Sequence, residues 1–173
     1  MSKQIQSTHQ EFCRASHSAE IILLAENLQS PENYGLLMRT SESMGVKKCY
    51  FITSDYQEIT PRMKRCSRSA EKYLEVEFSQ SSKKIIEDYR KNNFIIISLE
   101  KTNNSILITD FSLKTYKILL LLGNEKSGVS EEILSLSHAV VHIDMYGKNS
   151  SMNVVNATGI ALFHITNLFK IKN

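Results

Sequence analysis

Apolar residues occur mainly in short continuous runs along the chain. Five runs have the length of a strand: IILLA at 21–25, CYFIT at 49–53, FIIIS at 94–98, ILLLLG at 118–123 and AVVHID at 139–144. Continuous rather than alternating apolar residues are typical of strands buried on both faces of a parallel sheet. A further segment, YLEVEF at 73–78, alternates and is interpreted as an edge strand or a connection.

The segments between these runs carry helix signals. Asn33 is a candidate cap for a helix over 34–44, which Gly45 would end. Three further helices are predicted over 81–91, over a segment that begins at Glu131 with Ser130 as its cap, and over 153–169. The two prolines, Pro31 and Pro61, are placed in connections. Strands that alternate with helices predict an α/β domain, with a single mostly parallel sheet flanked by helices.

Composition limits the classes of protein that fit. The chain has 173 residues, 42% hydrophobic and 23% charged, with a formal net charge of +3, so one globular domain is expected. This mild basicity is compatible with a nucleic-acid partner without requiring one. Three dispersed cysteines give no zinc pattern, and no apolar run approaches the roughly 20 residues that span a bilayer. We therefore expect a cytoplasmic protein without metal or membrane anchor.

Two parts of the chain are distinguished at the sequence level. Residues 1–20 form an N-terminal extension, for which a partly amphipathic helix containing Ile5 and Phe12 is predicted. Residues 21–173 hold all the strand-like runs and are interpreted as the functional domain.

Three polar segments follow predicted strands, where ligands bind on parallel sheets. The first segment, residues 25–46, has two interpretations. Asn33 is a helix cap and Arg39 a solvated cation, or the two side chains orient a ligand. In the second, 119–132, glycines allow a backbone to approach a ligand, or only form a tight turn. In the third, 142–163, Ser150 or Ser151 is a helix cap, or part of a polar cradle at a helix start.

Other nucleotide-binding and hydrolytic signatures do not fit these segments. The chain has no G-x-G-x-x-G fingerprint, and Val129 and Ser130 replace the Lys-Ser/Thr that a phosphate loop needs after its second glycine. No G-x-S-x-G nucleophile turn is present. An unrelated open-sheet α/β enzyme is therefore the weakest alternative.

Taken together, the three segments resemble the motifs of the SpoU/TrmH branch of the SPOUT RNA methyltransferases. The matching positions are Asn33, Gly35, Arg39 and Thr40 in the first motif, Gly123, Asn124, Glu125, Gly128, Val129 and Ser130 in the second, and Ile143, Met145, Gly147, Ser151, Asn153 and Val154 in the third. The likeness covers about residues 20–170. Asp144, Met152 and Val155 depart from the family pattern of Pro, Leu and Ser.

The resemblance implies a fold and a reaction. The fold is a SPOUT α/β domain with a C-terminal trefoil knot, assembled as a homodimer with each active site near the subunit interface. The reaction is transfer of a methyl group from S-adenosylmethionine to a ribose 2′-hydroxyl in RNA. Transfer RNA is favoured over ribosomal RNA as substrate. A member that binds RNA without catalysis is the alternative from another class, and Asp144 is its best support.

The resemblance also implies the site residues. Arg39, Asn33, Ser151 and Asn153 are the expected catalytic group. Arg39 is expected to bind an RNA phosphate; its second implied role, accepting the hydroxyl proton, conflicts with the very weak basicity of a guanidinium that is already charged. The expected cofactor-binding residues are Leu122, Gly123, Asn124, Glu125, Gly128, Ile143, Met145, Ser151 and Met152. Arg62, Lys64, Arg65 and Arg68 join Arg39 as the expected RNA contacts; without the resemblance, this cluster would be a solvated helical face.

Overall fold

The computed structural model describes residues 15–171 of the chain. The strands are β1 (Glu20–Glu26), β2 (Lys48–Ile52), β3 (Glu75–Ser79), β4 (Ile95–Leu99), β5 (Ile106–Leu107), β6 (Lys117–Leu122) and β7 (Ala139–His142). The helices are α1 (Pro31–Ser43), α2 (Pro61–Ser67), α3 (Ser82–Lys91), α4 (Glu131–Leu136) and α5 (Val154–Leu168), with one 3₁₀ turn at Ala70–Lys72.

All seven strands belong to one sheet, in the order β3-β2-β1-β6-β4-β7-β5. Each of the six pairings is parallel. The predicted α/β class, with a parallel sheet flanked by helices, is confirmed. Of the two interpretations of residues 73–78, the edge strand is confirmed, since β3 lies at one edge of the sheet.

The central strands are apolar throughout because they bury both faces. Ile21, Leu23 and Ala25 of β1 point into a core that also contains Leu37 of α1 and Leu162 of α5. The intervening residues of β1 belong to a second core, on the other side of the sheet, which α3 and α4 cover. Helices on both faces therefore explain the continuous runs, in agreement with the sequence-based interpretation.

Several predicted helix starts are corrected by the structure. Helix α1 begins at Pro31, and Ser30, not Asn33, is its cap: Ser30 Oγ accepts a hydrogen bond from the Asn33 N–H at 3.2 Å. Pro61 likewise opens α2. The prediction that both prolines lie in connections is therefore wrong, and the reason is that proline suits the first helical turn, where its missing N–H would have no partner.

Other helix signals are confirmed. Ser130 caps α4 through a bond from the Ile133 N–H, and Gly45 ends α1 with a φ of 71°. For α5 the cap is Asn153, whose Oδ1 accepts from the Val155 N–H at 2.8 Å, so neither Ser150 nor Ser151 has the capping role that was considered for them.

The N-terminal division remains a prediction. The expected helix containing Ile5 and Phe12 falls outside the described residues. Of the extension, residues 15–19 run as an extended segment beside the end of α5, where His17 forms an antiparallel bridge with Lys170. The trefoil knot implied by the resemblance also stays a prediction.

Candidate functional site

A cavity of about 340 Å³ lies at the carboxyl ends of β4, β6 and β7. This volume falls in the range of small-molecule sites. All nine residues expected to bind the cofactor line it: Leu122, Gly123, Asn124, Glu125, Gly128, Ile143, Met145, Ser151 and Met152. The structure thus brings the second and third sequence motifs together around one space.

The glycines of the second motif make a close backbone turn possible. A Cβ at Gly123 would lie 2.1 Å from the carbonyl carbon of Gly128, so no larger residue fits there. Asn124 and Gly128 exchange backbone hydrogen bonds across this turn at 2.9 and 3.0 Å. Gly128 itself has a φ of 70°, a conformation that favours glycine. The loop is therefore held as a compact wall of the cavity.

One wall of the cavity, formed by the loop after β4, was not predicted from the sequence. Leu99, Glu100 and Lys101 line the cavity, and Glu100 Oε2 accepts a hydrogen bond from the Val129 N–H at 2.9 Å. The three motif segments follow β1, β6 and β7, and the loop after β4 carries no such motif. The missing signal was the strand order, since β4 lies between β6 and β7 and its loop must fall between theirs.

Three side chains join the first, second and third motifs. Asn33 Nδ2 donates to Glu125 Oε1 at 2.5 Å, and Asn33 Oδ1 accepts from Asn153 Nδ2 at 3.3 Å. Glu125 also accepts from the Gln29 N–H at 3.0 Å. Both ends of the Asn33 amide are therefore used to connect the start of α1 with the cavity loop and with the start of α5.

Asp144 stands at the edge of the cavity loop in place of the proline usual in the family pattern. The predicted strand 139–144 ends earlier, at His142, which leaves Ile143 free to line the cavity and Asp144 to leave the sheet. The Asp144 carboxylate lies 3.2 Å from Lys101 Nζ and 3.4 Å from His142 Nε2. The substitution thus links the loop after β7 to the loop after β4.

Arg39 is the one expected catalytic residue that lies away from this cluster. Its side chain is exposed on α1, and it does not line the cavity. Arg39 comes six positions after Asn33, which is about 9 Å along a helix axis. Thr40, its neighbour, faces Gly159 of α5 with Cγ2 3.6 Å from the position a Cβ would take. Arg39 therefore sits where α1 crosses α5.

The expected RNA contacts Arg62, Lys64, Arg65 and Arg68 are exposed on α2 and at its end. This helix packs against the first turns of α1, because a Cβ at Gly35 would lie 2.3 Å from the Met63 carbonyl oxygen. Arg62 forms an ion pair with Glu32. The pKa of Glu32 is lowered, first by a backbone hydrogen bond and further by Arg62. The basic cluster is thus anchored beside Asn33.

Within residues 15–171, no cluster of three or more His, Cys, Asp or Glu residues is arranged to hold a metal ion. Over the same residues, no helix is long and apolar enough to cross a membrane.

A comparison with protein families decides the classification. Residues 20–163 match the model of the SpoU rRNA Methylase family. The chain belongs to this family. The resemblance found in the three motifs is thereby confirmed, and the match spans every strand and all helices but the end of α5.

Relatives of this chain are named for methylation of different RNAs. The tRNA (guanosine(18)-2′-O)-methyltransferase of Aquifex aeolicus is 26% identical over 146 residues, 83% of this chain and 67% of that protein. The 23S rRNA (adenosine(1067)-2′-O)-methyltransferase of Streptomyces azureus is 29% identical over 149 residues, 86% of this chain and 54% of that protein.

A solved structure gives the same fold. The rRNA methyltransferase from Sinorhizobium meliloti, determined with S-adenosylmethionine bound, superposes with a TM-score of 0.80 at 20% identity, over 88% of this chain and 57% of that one. This SpoU-family chain spans only about half to two thirds of the length of most of the relatives it matches. Its own activity and substrate are therefore matters for proposal.

Proposed function

We propose that the protein transfers a methyl group from S-adenosylmethionine to a ribose 2′-hydroxyl of RNA, with transfer RNA as the favoured substrate. The observation that carries this proposal is the meeting of all three motifs at one cavity, joined by the hydrogen bonds of Asn33 to Glu125 and Asn153. Family membership and the named activities of the relatives support the same reaction. A cytoplasmic location is part of the proposal.

The chemistry of the cavity fits S-adenosylmethionine. Apolar side chains for a flat aromatic ring come from Leu122, Ile143, Met145, Met152 and Val154. Backbone groups on both sides of Gly123 are within reach, since no Cβ stands in front of them. The cofactor, when bound, supplies a methyl group activated by a positively charged sulfur. The chain's residues hold that group in line with the attacking oxygen and keep competing water out.

Asn33, Ser151 and Asn153 are proposed to place the ribose. Asn33 and Asn153 already hold each other through their amides, so their positions are fixed before RNA binds. Ser151 lines the cavity directly and is exposed to an incoming hydroxyl. The ribose 2′-oxygen would then lie between the cavity and the start of α5, where N–H groups of the first helical turn stabilise negative charge.

Arg39 is proposed to act on the cavity of a second copy of the chain. Within one chain it is exposed and lies at the crossing of α1 and α5. Beside it, α5 presents an apolar stripe of Ile160, Phe163 and Leu168, and the Phe163 side chain is 62% exposed. Burying this stripe in a homodimer would bring each Arg39 towards the partner. There its guanidinium would bind an RNA phosphate, a role that suits its fixed charge better than proton transfer does. As the bond from the methyl group to sulfur breaks and its bond to the ribose oxygen forms, S-adenosylhomocysteine leaves and the hydroxyl proton passes to this phosphate or to water.

Binding of the cofactor can be tested by calorimetric titration with S-adenosylmethionine. Ala157 lines the cavity and its replacement in Ala157→Trp would fill the space, whereas Glu87→Trp adds the same ring on the exposed side of α3, away from the cavity. We expect Ala157→Trp to abolish binding while the fold is kept, as judged by circular dichroism, and Glu87→Trp to bind as the unmodified protein does. Equal binding by both variants would place the cofactor elsewhere.

A further inference from the structure

Tyr146 is the most exposed large apolar side chain among the described residues, with 98% of its surface open to solvent. It belongs to the loop between β7 and α5, whose residues on either side, Met145 and Ser150, line the cavity. The next residue, Gly147, has no atom within 4 Å of the position a Cβ would occupy. The loop therefore carries an aromatic ring outward from the cavity wall into open space.

Exposed lysines lie on this loop and on the cavity wall, which Glu100 and Glu125 also line. Lys148 follows two residues later and is exposed, and Lys126, also exposed, lines the cavity from the loop after β6. Neither forms an ion pair with a described residue, whereas Lys101 is paired with Asp144. An unpacked aromatic ring on the same loop as an exposed ammonium group is a combination that can bind single-stranded nucleic acid, with the lysine on a phosphate and the ring on a base.

The distances suit a nucleotide held at the cavity. Neighbouring Cα atoms are about 3.8 Å apart, so the Tyr146 backbone lies one such step from Met145 in the cavity wall. A ring anchored one residue from the wall is therefore close enough to contact a nucleotide whose ribose is at the cavity.

We propose that Tyr146 is an RNA-recognition residue that stacks on a base at or next to the methylated nucleotide. This inference rests on the proposed function, because it requires RNA at the cavity. Stacking does not read hydrogen-bonding edges, so Tyr146 contributes affinity and position with little discrimination among bases. Sequence selection falls to other contacts.

The experiment compares Tyr146→Ala with Tyr146→Phe and with Tyr116→Ala. Tyr116 is also exposed, but it precedes β6 and lies at the amino ends of the strands, whereas the cavity is at their carboxyl ends. For each variant, the Michaelis constant is measured for methyl transfer to total RNA from cells lacking the protein. Affinity for S-adenosylmethionine is measured by calorimetry, and oligomeric state by analytical ultracentrifugation.

Tyr146→Ala is expected to raise the Michaelis constant for RNA by roughly 5- to 150-fold, as the loss of one stacked base would. Its cofactor affinity and oligomeric state should equal those of the unmodified protein. Tyr146→Phe and Tyr116→Ala should behave as the unmodified protein in all three measurements, because stacking needs the ring and not its hydroxyl.

Four results obtained with the Tyr146 variants would overturn the inference. An unchanged Michaelis constant in Tyr146→Ala would remove the ring from RNA recognition, and an equal loss in Tyr146→Phe would assign the effect to the hydroxyl. Lost cofactor affinity would make the ring a cover for the cofactor, and lost dimerisation would make it an interface residue. If the unmodified protein itself transferred no methyl group to RNA, the proposed function would fail together with this inference.

Discussion

The side-chain amide of Asn33 lies 2.5 Å from the carboxylate of Glu125, across 92 residues of sequence. The bond joins the first turn of α1 to the loop after β6, which lines the cavity. Because Asn33 also accepts from Asn153, the pair holds all three motif segments in register. Replacing Asn33 should therefore lower the free energy of unfolding and also disturb the arrangement of the three motifs at the cavity.

Asn33→Asp is predicted to make stability depend on pH. The change places a second carboxylate beside Glu125, and two adjacent carboxylates repel when both are ionised. The folded protein holds the two carboxylates close together, whereas the unfolded chain does not, so their ionisation disfavours folding. The free energy of unfolding should therefore fall further below that of the unmodified protein as the pH rises from about 4 to 7. Asn33→Ala removes the hydrogen bonds without adding charge, and its deficit should be similar at both pH values. Melting temperatures at pH 4 and 7 test this, and an equal deficit for Asn33→Asp at both would contradict it.

Gly123→Ala is predicted to be strongly destabilising. The added methyl group would lie 2.1 Å from backbone atoms of Gly128 and Val129, which cannot move aside as a flexible side chain could. A loss of about 1–3 kcal/mol in the free energy of unfolding is expected, as for other overpacked sites. Gly147→Ala is the control, since nothing lies within 4 Å there, and should change stability by less than about 0.5 kcal/mol. Urea denaturation of the two variants would refute the account if their losses were equal.

Phe163→Asp is predicted to separate the proposed homodimer. The side chain is exposed on α5 beside Ile160 and Leu168, and a carboxylate there would be buried without a partner on association. Sedimentation should show monomers that still bind S-adenosylmethionine but transfer no methyl group, because Arg39 no longer meets the partner's cavity. Tyr73→Asp alters another exposed aromatic, just after the 3₁₀ turn, and should leave the dimer intact. A Phe163→Asp protein that remained dimeric would place the interface on another surface.

Arg65→Ala is predicted to weaken RNA binding mainly at low salt. Arg65 is exposed on α2, and loss of one phosphate contact lowers the slope of log affinity against log salt by about 1. Arg62→Ala should have a smaller effect, since Arg62 is already paired with Glu32. Lys91→Ala, at the end of α3, is the matched control. Filter binding across a salt series measures all three, and equal slopes for Arg65→Ala and Lys91→Ala would exclude α2 from the RNA interface.

The sequence was sufficient to predict the strands because burial on both faces leaves continuous apolar runs. It did not predict β5, which has only two residues, Ile106 and Leu107, at an edge of the sheet. The sequence also did not predict the order of the strands, because that order depends on contacts between segments far apart in the chain. For that reason the contributions of Glu100 and Lys101 to the cavity were missed.

Local signals were ambiguous where one residue type serves two purposes. Asparagine is a good helix cap and also a good bridging amide, and only the position of Glu125 shows that Asn33 has the second role. At the start of α5, Asn153 has both roles: it caps the helix and its amide also donates to Asn33. Spacing alone could not separate these uses.

The measurement that tests the central claim most directly is methyl transfer from labelled S-adenosylmethionine to total RNA from cells lacking the protein, followed by alkaline hydrolysis and separation by size. The account predicts label in alkali-resistant dinucleotides derived from RNA of tRNA length, and loss of that label in Arg39→Ala while cofactor binding persists. Label in ribosomal RNA would keep the reaction and change the substrate. Label released as mononucleotides would show methylation of a base and contradict the proposed chemistry.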